Sequence, residues 1–323
     1  MTKRQWSLVG LYAVLVLILL PVGFYAAGWI RQQVIEEPKP LVPRPPTNPS
    51  PGKVPPGWRV PCKRLPAEHL AYNIAFQGAA SGTATLATGP LTKHEDGRPA
   101  YRVVCTIRTN DRISALYVLR GQAIVLLDAA TLLPIEFEHK VASGLAISSR
   151  IKHRKLVYDQ AGHQLHYYKA KDDTGPEFRR SRNIPPDAHH YLSLLYFLRH
   201  APLDVGKTLT AMTAEKKRDV PIEVRVLREE DYSLPSGERR RALVLETRSD
   251  LGKEEMQGAR FRAWLDRADR FLLRLDVKTK WGTISATLTE RTVTGDATPK
   301  ADDSNGNHTS PLPLDATPGK AAP

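Results

Sequence analysis

Cysteine is scarce in this sequence, and motifs that carry chemistry are absent. The 323 residues include 2 cysteines. No nucleophile elbow, phosphate-binding loop, HExxH motif, CxxC pair or EF-hand pattern occurs in the chain. These absences argue against the enzyme and metal-binding classes that depend on such motifs. We therefore expect no catalytic residue, no metal site and no cofactor, and a protein that is not an enzyme.

Charge is lacking in one long segment near the N-terminus. Residues 6–30 are apolar and long enough, at 1.5 Å per residue, to cross a hydrocarbon core of about 30 Å. Lys3 and Arg4 precede the segment, so the positive-inside rule places residues 1–5 in the cytoplasm and the rest of the chain outside. We predict a single transmembrane anchor at 6–30. Small residues at 26–28 leave a cleaved signal peptide as the alternative.

Two further segments lack the apolar residues that a core needs. Residues 31–65 carry proline at about every third position, which favours an extended stalk. Residues 294–323 are rich in Asp, Asn, Ser, Thr, Pro and Ala, a composition typical of a disordered tail. The folded domain is therefore predicted to extend over residues 66–293.

Alternation of strands and helices is also missing from this domain. About a dozen segments instead show period-two alternation of apolar and polar residues, as in AYRVVCTIRTN and TISATLTERT. Such segments are typical of half-buried antiparallel strands. We predict a mainly β fold, either a curved antiparallel sheet or a partly closed β-barrel, with one embedded helix and a preceding transmembrane helix.

The embedded helix is predicted in the stretch PPDAHHYLSLLYFLRH, with Asp187 as its N-cap. Leucine and aromatic residues cover most of its sides, so it should fill the concave side of the sheet. His189 and His200 are three turns apart, about 16 Å along the axis, and cannot share a metal ion. His189 and His190 diverge by about 100° and lack the spacing of a zinc helix. We interpret the helix as a plug and its histidines as polar residues at helix ends.

The helix also resembles the signature element of the DUF3108 family of bacterial exported proteins. The matching residues are HYLSLLYFLR at 190–199, followed by Pro202, Leu203 and Gly206. Trp264-Leu265-Asp266 and Gly282-Thr283-Ile284 extend the resemblance, which covers most of residues 68–291. His190 stands where the family usually has aspartate, which puts the role of that acid in doubt. The resemblance implies a β-rich exported fold and no established reaction.

Few residues are candidates for a site. Tyr196 and Arg199 lie one turn apart at the helix end, where Arg199 would bind an anionic headgroup or pair with a structural acid. Cys62 and Cys105 would form a disulfide in an oxidising compartment, or else remain free. Glu136 and Glu138 share a strand face, which more often marks the solvated side of a sheet than a carboxylate pair.

The formal net charge of +13 indicates anionic partners. The exported location argues against nucleic acid. We expect a protein of the bacterial inner membrane whose periplasmic or extracytoplasmic domain binds an anionic lipid, a glycolipid or a wall polymer without covalent chemistry. Its bilayer contact would be residues 6–30. A protein-interaction scaffold in an envelope complex is the alternative, with an envelope protein as partner, and an envelope hydrolase comes third.

Overall fold

The computed structural model describes residues 64–170, 175–249, 260–279 and 282–294. The predicted anchor, nearly all of the stalk and the tail lie outside these ranges. Within them are α1 (Asp111–Ser114), α2 (Tyr191–His200) and fourteen strands. The strands are β1 (Glu68–Phe76), β2 (Ala79–Lys93), β3 (Pro99–Thr109), β4 (Tyr117–Asp128), β5 (Pro134–Leu145), β6 (Arg150–Asp159), β7 (Gln164–Lys169), β8 (Glu177–Asn183), β9 (Thr208–Ala214), β10 (Asp219–Ser233), β11 (Arg239–Ser249), β12 (Arg260–Asp266), β13 (Leu272–Thr279) and β14 (Gly282–Val293).

All fourteen strands belong to one antiparallel sheet. Its order is β8-β7-β6-β5-β4-β3-β2-β1-β14-β13-β12-β11-β10-β9, so each strand pairs with its neighbours in sequence, except that β8 does not pair with β9, and β1 also pairs with β14. The first and last strands therefore meet in the middle of the sheet, and β8 and β9 form its two edges. The predicted mainly β class is confirmed, and the sheet is not closed by a backbone ladder. Among the described residues, no helix has the length and apolar character to cross a bilayer.

Side chains and a short connector join the two edges of the sheet. The Arg182 guanidinium on β8 donates to the backbone oxygen of Arg218 at 3.0 Å and pairs with Asp219 at 2.7 Å. His189 lies beside β9, where its backbone N–H donates to Met212 O at 2.8 Å and its carbonyl accepts from Ala214 N at 2.9 Å. The edge of β9 is thus partly covered, so fewer of its backbone N–H and C=O groups remain available to pair with a strand of another molecule.

The strands place alternate side chains on the concave face. In β3, for example, Tyr101, Val103, Cys105 and Ile107 are buried, and the residues between them are more exposed. These side chains and the equivalent ones of the other strands surround α2, whose Tyr196 is 1% exposed. The expectation of an embedded helix is confirmed, and one core joins the helix to every strand of the sheet except β8.

Gly82 marks a point where β2 and β3 approach too closely for a side chain. A Cβ atom there would lie 2.3 Å from Arg108 O, a backbone atom that cannot rotate away. We expect Gly82→Ala to lower the free energy of unfolding by about 2–3 kcal/mol, since the strands must separate locally. Gly89→Ala on the same strand is the control, because its Cβ would meet Arg102 O at an ordinary 3.5 Å. Equal midpoints of the two variants in urea would contradict this account.

Candidate functional site

The N-cap residue of helix α2 is His190. Its ring Nδ1 accepts from Leu192 N at 3.3 Å, and the hydroxyl of Ser193 accepts from His190 N at 2.8 Å, which completes a capping box. The prediction that Asp187 is the N-cap is wrong. Asp187 instead adopts a positive φ of 54° in the preceding turn. The capping role that was in doubt at position 190 is carried by the imidazole.

Tyr196 and Arg199, the two predicted ligand-binding residues, both contact strands. The Tyr196 hydroxyl shares a hydrogen bond of 2.7 Å with Thr88 Oγ1 on β2. Arg199 pairs with Glu68 on β1, whose side chain has no exposed surface. Neither residue is among the described residues that line the cavity beside α2. Their contacts favour the structural alternative for Arg199, and ligand binding by the pair stays a prediction.

An apolar cavity of about 160 Å³ separates one face of α2 from the sheet. Its lining is almost wholly hydrocarbon, with Tyr191, Leu192, Leu194, Leu195 and Leu198 from α2 and Tyr72, Leu86, Ile222, Phe261, Leu275 and Ala286 among those from the sheet. Sequence reasoning identified this helix face but gave no sign that the space opposite it is unfilled.

The opening of the cavity is marked by the lining residues that remain partly exposed. On α2 and strands β11 to β13 they are Tyr191, Leu195, Thr247, Phe261 and Leu275, and the lining residues deeper inside include the buried Tyr72 and Leu272. Thr85 on β2 is also partly exposed, and its hydroxyl pairs with Thr106 on the neighbouring strand. The cavity is therefore a pocket with an apolar end and a mouth between α2 and strands β11 to β13. Such a shape can hold part of a hydrocarbon group while the rest of a molecule reaches solvent.

Cys105 belongs to the cavity wall and is buried. Burial raises the pKa of this thiol to about 12, so it is protonated and unreactive at neutral pH. Cys62, its predicted disulfide partner, lies outside the described residues. The disulfide therefore stays a prediction.

The histidines lie on the other side of α2, in a buried polar cluster. His189 and His190 are 4% and 0% exposed, and the ring of His190 stacks on Phe137 at 3.7 Å. His139 on β5 is 1% exposed. Burial lowers the pKa of His189 to about 4 and that of His190 to about 3, and it lowers the pKa of His139 well below the usual range, with Arg154 adding to the effect. All three rings are neutral at pH 7.

One carboxyl group approaches this cluster. Glu215, in the turn between β9 and β10, places Oε1 3.9 Å from His190 Nε2. Burial raises the pKa of Glu215 to about 8, against the opposing effect of the Arg182 guanidinium. Glu215 is therefore mostly protonated at neutral pH, so the contact with His190 joins two neutral groups. No group of three or more potential ligands among the described residues is arranged for a metal ion.

The remaining polar candidates are occupied by structural contacts. Ser193 Oγ lies 3.2 Å from His189 Nδ1, but the serine is wholly buried and its hydroxyl donates to His190 O. Glu136 pairs with Lys155 at 2.7 Å, and Glu138 contacts His153 at 2.5 Å, both across neighbouring strands. These contacts agree with the interpretation of the two glutamates as residues of the outer face. The cavity is thus the candidate site.

Three solved structures are similar to this chain. A beta-barrel-like protein of a domain of unknown function, DUF1849, from Brucella abortus has a TM-score of 0.48 and 11% identity, and the match covers 72% of this chain and 99% of that one. A proposed exported protein with a YmcC-like fold from Bacteroides fragilis has a TM-score of 0.29 and 10% identity, with 71% and 97% covered. A proposed lipoprotein from Parabacteroides distasonis has values of 0.28, 8%, 71% and 96%. Likenesses this weak carry no information on function.

Curated proteins provide no match to this chain. The family model described as "Protein of unknown function (DUF3108)" does match, over residues 71–289. That range includes the cavity lining from Tyr72 to Ala286 and the whole of α2. It also covers more than half of the chain and confirms the resemblance seen in the helix. This protein therefore belongs to the DUF3108 family.

Proposed function

We propose that this protein is a membrane-anchored, extracytoplasmic binding protein that holds the apolar part of an amphiphilic envelope component in the cavity beside α2. The cavity is the observation that carries the proposal. A wall polymer offers no hydrocarbon group for such a lining, so a lipid or a glycolipid is the better partner. Residues 6–30 would anchor the chain in the inner membrane, and residues 31–65 would hold the domain away from it.

The size of the cavity limits what enters it. An engineered apolar cavity of about 150 Å³ is large enough to bind benzene. A volume of about 160 Å³ therefore accommodates a short stretch of one acyl chain, and the rest of the molecule would pass through the mouth. Binding by this route needs no charged residue inside the pocket and no bond-making step. The embedded helix then acts as one wall of a binding site, in addition to its role in the core.

Filling the cavity is expected to reduce binding several-fold. Ala263 and Ala286 line the cavity, and the change of either to leucine adds three carbon atoms to its interior. We expect the full chain, purified in detergent and analysed by native mass spectrometry, to carry an amphiphile that Ala263→Leu and Ala286→Leu lose. Ala87→Leu on the outer face of β2 is the control and should retain it. An equal load of amphiphile on all of these proteins would contradict the proposal, and a bound protein in its place would favour the scaffold alternative.

A further inference from the structure

Exposed hydrophobic side chains cluster at one place on the domain. Six large apolar side chains among the described residues are exposed to solvent. Four of them are neighbours at one rim of the sheet: Leu116, Leu145, Ile147 and Ile151, with exposed fractions of 56%, 53%, 94% and 47%. We call these four residues the rim patch. Single exposed apolar residues are ordinary, but a contiguous group of them marks an interaction site.

The backbone holds the rim patch together. Leu145 pairs with Tyr117 across β5 and β4, and Ala146 N donates to Leu116 O at 3.1 Å. Ser148 N then closes the turn to Leu145 O at 2.9 Å, which leaves Ile147 at the apex. The patch is therefore a protruding pair of hairpin ends on a hydrogen-bonded base. A convex apolar surface of this shape inserts into a soft partner more readily than it fills the groove of a folded protein.

The charges around the rim patch are mostly positive. Arg112 lies in α1, four residues before Leu116, and Arg150 and Lys152 flank Ile151. In the two connections that carry the patch, residues 110–116 and 146–149, Asp111 is the acidic residue. The opposite rim carries charges of both signs, and its acids are largely paired: Asp96 with Arg98, Asp204 with Lys207, and Asp269 with Arg291.

The mouth of the cavity belongs to the same rim as the patch. Because every neighbouring pair of strands is antiparallel, all odd-numbered strands end at one rim. The rim patch lies where β5 ends, and Thr247 of the cavity mouth lies near the end of β11. Phe261, also at the mouth, lies at the start of β12 on that rim. A surface that contacts the patch therefore also faces the mouth.

We propose that the rim patch inserts into the headgroup region of a bilayer that contains anionic lipid. The apolar apices would enter the boundary between headgroups and acyl chains, and the basic residues beside them would meet the negative surface. This inference goes beyond the proposed function, since the patch would dock whether or not the cavity holds a ligand.

Lipid-quenched fluorescence on the full chain tests the inference, because it compares labelled positions within the domain while residues 6–30 would anchor every variant equally. In a Cys62→Ser background, Ile147→Cys is labelled with bimane and the protein is reconstituted into vesicles that contain doxyl-labelled lipid and phosphatidylglycerol. Cys105 is buried and should not react. Val205→Cys is the matched control, because Val205 is 53% exposed and lies after α2, beside the opposite rim.

We expect doxyl lipid to quench the label at position 147 at least twofold, and to leave the label at position 205 nearly unchanged. Replacement of phosphatidylglycerol by phosphatidylcholine should remove at least half of that quenching, because the basic residues lose their partner. Leu116→Asp and Leu145→Asp together should bring position 147 to the level of position 205. Equal quenching at the two positions, or none at 147, would overturn the inference, and near-ultraviolet circular dichroism would show whether each variant is folded.

Discussion

Replacement of Glu68 by alanine is expected to lower the free energy of unfolding by about 3–5 kcal/mol. The Glu68 side chain is fully buried and accepts from two guanidinium groups, those of Arg199 on α2 and Arg291 on β14. Arg291 also pairs with Asp269 at 2.7 Å, so the cluster balances two positive with two negative charges. Loss of Glu68 leaves Arg199, only 7% exposed in its side chain, without that compensating charge.

The position of this cluster makes the effect large. Glu68 begins β1 at the middle of the sheet, and Arg199 lies in the last turn of α2. The ion pair therefore holds the helix against the sheet. Thermal or urea unfolding measures the loss, and Glu290→Ala, at an exposed position next to Arg291, is the control. In a double-mutant cycle, Glu68→Ala and Arg199→Ala should show a coupling of at least about 2 kcal/mol. Additive losses would show that the pair does not hold the helix in place.

Lowering the pH should destabilise the protein already at pH values well above those at which most carboxylates titrate. Burial lowers the pKa of His139, His189 and His190 in the folded protein. Below about pH 6.5 these three histidines therefore bind protons in the unfolded chain but stay neutral in the folded protein. The unfolded state binds more protons, and stability therefore falls as the pH falls. Glu215 opposes this by one proton, because its pKa is raised in the folded protein. The net loss between pH 6.5 and 4.5 is expected to be about 3–5 kcal/mol.

Two variants separate these groups in the measured dependence of stability on pH. His190→Asn retains a capping side chain and should reduce the acid slope by about 1.4 kcal/mol per pH unit, the value for one proton. His163→Asn, at an exposed turn position with a φ of 51°, is the control, because it removes a histidine outside the buried cluster. Between about pH 6.5 and 8, stability should rise more with pH in Glu215→Gln than in the unmodified protein, because the variant lacks the carboxyl that ionises there in the folded state. Lys216, whose pKa burial lowers to about 7, acts in the opposite direction in both proteins. An acid slope in His190→Asn equal to that of the unmodified protein would contradict the assignment.

The sequence alone was sufficient to predict the strands that bury one face. Their period-two alternation predicts thirteen of the fourteen strands, and the exception is β8, with the sequence EFRRSRN. This strand lies at the edge of the sheet and is exposed along most of its length, so no burial imposes alternation on it. Its Arg182 nevertheless joins the two edges through the turn that follows β9. Charge pattern alone does not reveal such a contact between distant segments.

The candidate site was harder to predict from the sequence than the fold. The apolar face of α2 was visible from the spacing of its leucines, but a cavity depends on the volumes of side chains from distant strands. Small residues such as Ala84, Ala263 and Ala286 leave the space, and they occur on three different strands. The N-cap was misplaced for a related reason. Asp187 has the better capping side chain, but the pairing of His189 with β9 fixes the backbone and leaves His190 to begin the helix.

Photo-crosslinking of a lipid chain inside the cavity tests the central claim most directly. The full chain would be placed in nanodiscs that contain phospholipid with a diazirine at the end of one acyl chain, and the modified residues would be mapped by peptide mass spectrometry. We predict modification of α2 around Leu194 and of β12 and β13 around Phe261 and Leu275, and its loss in Ala263→Leu. Modification that avoids these residues, or that is as strong in Ala263→Leu, would contradict the account.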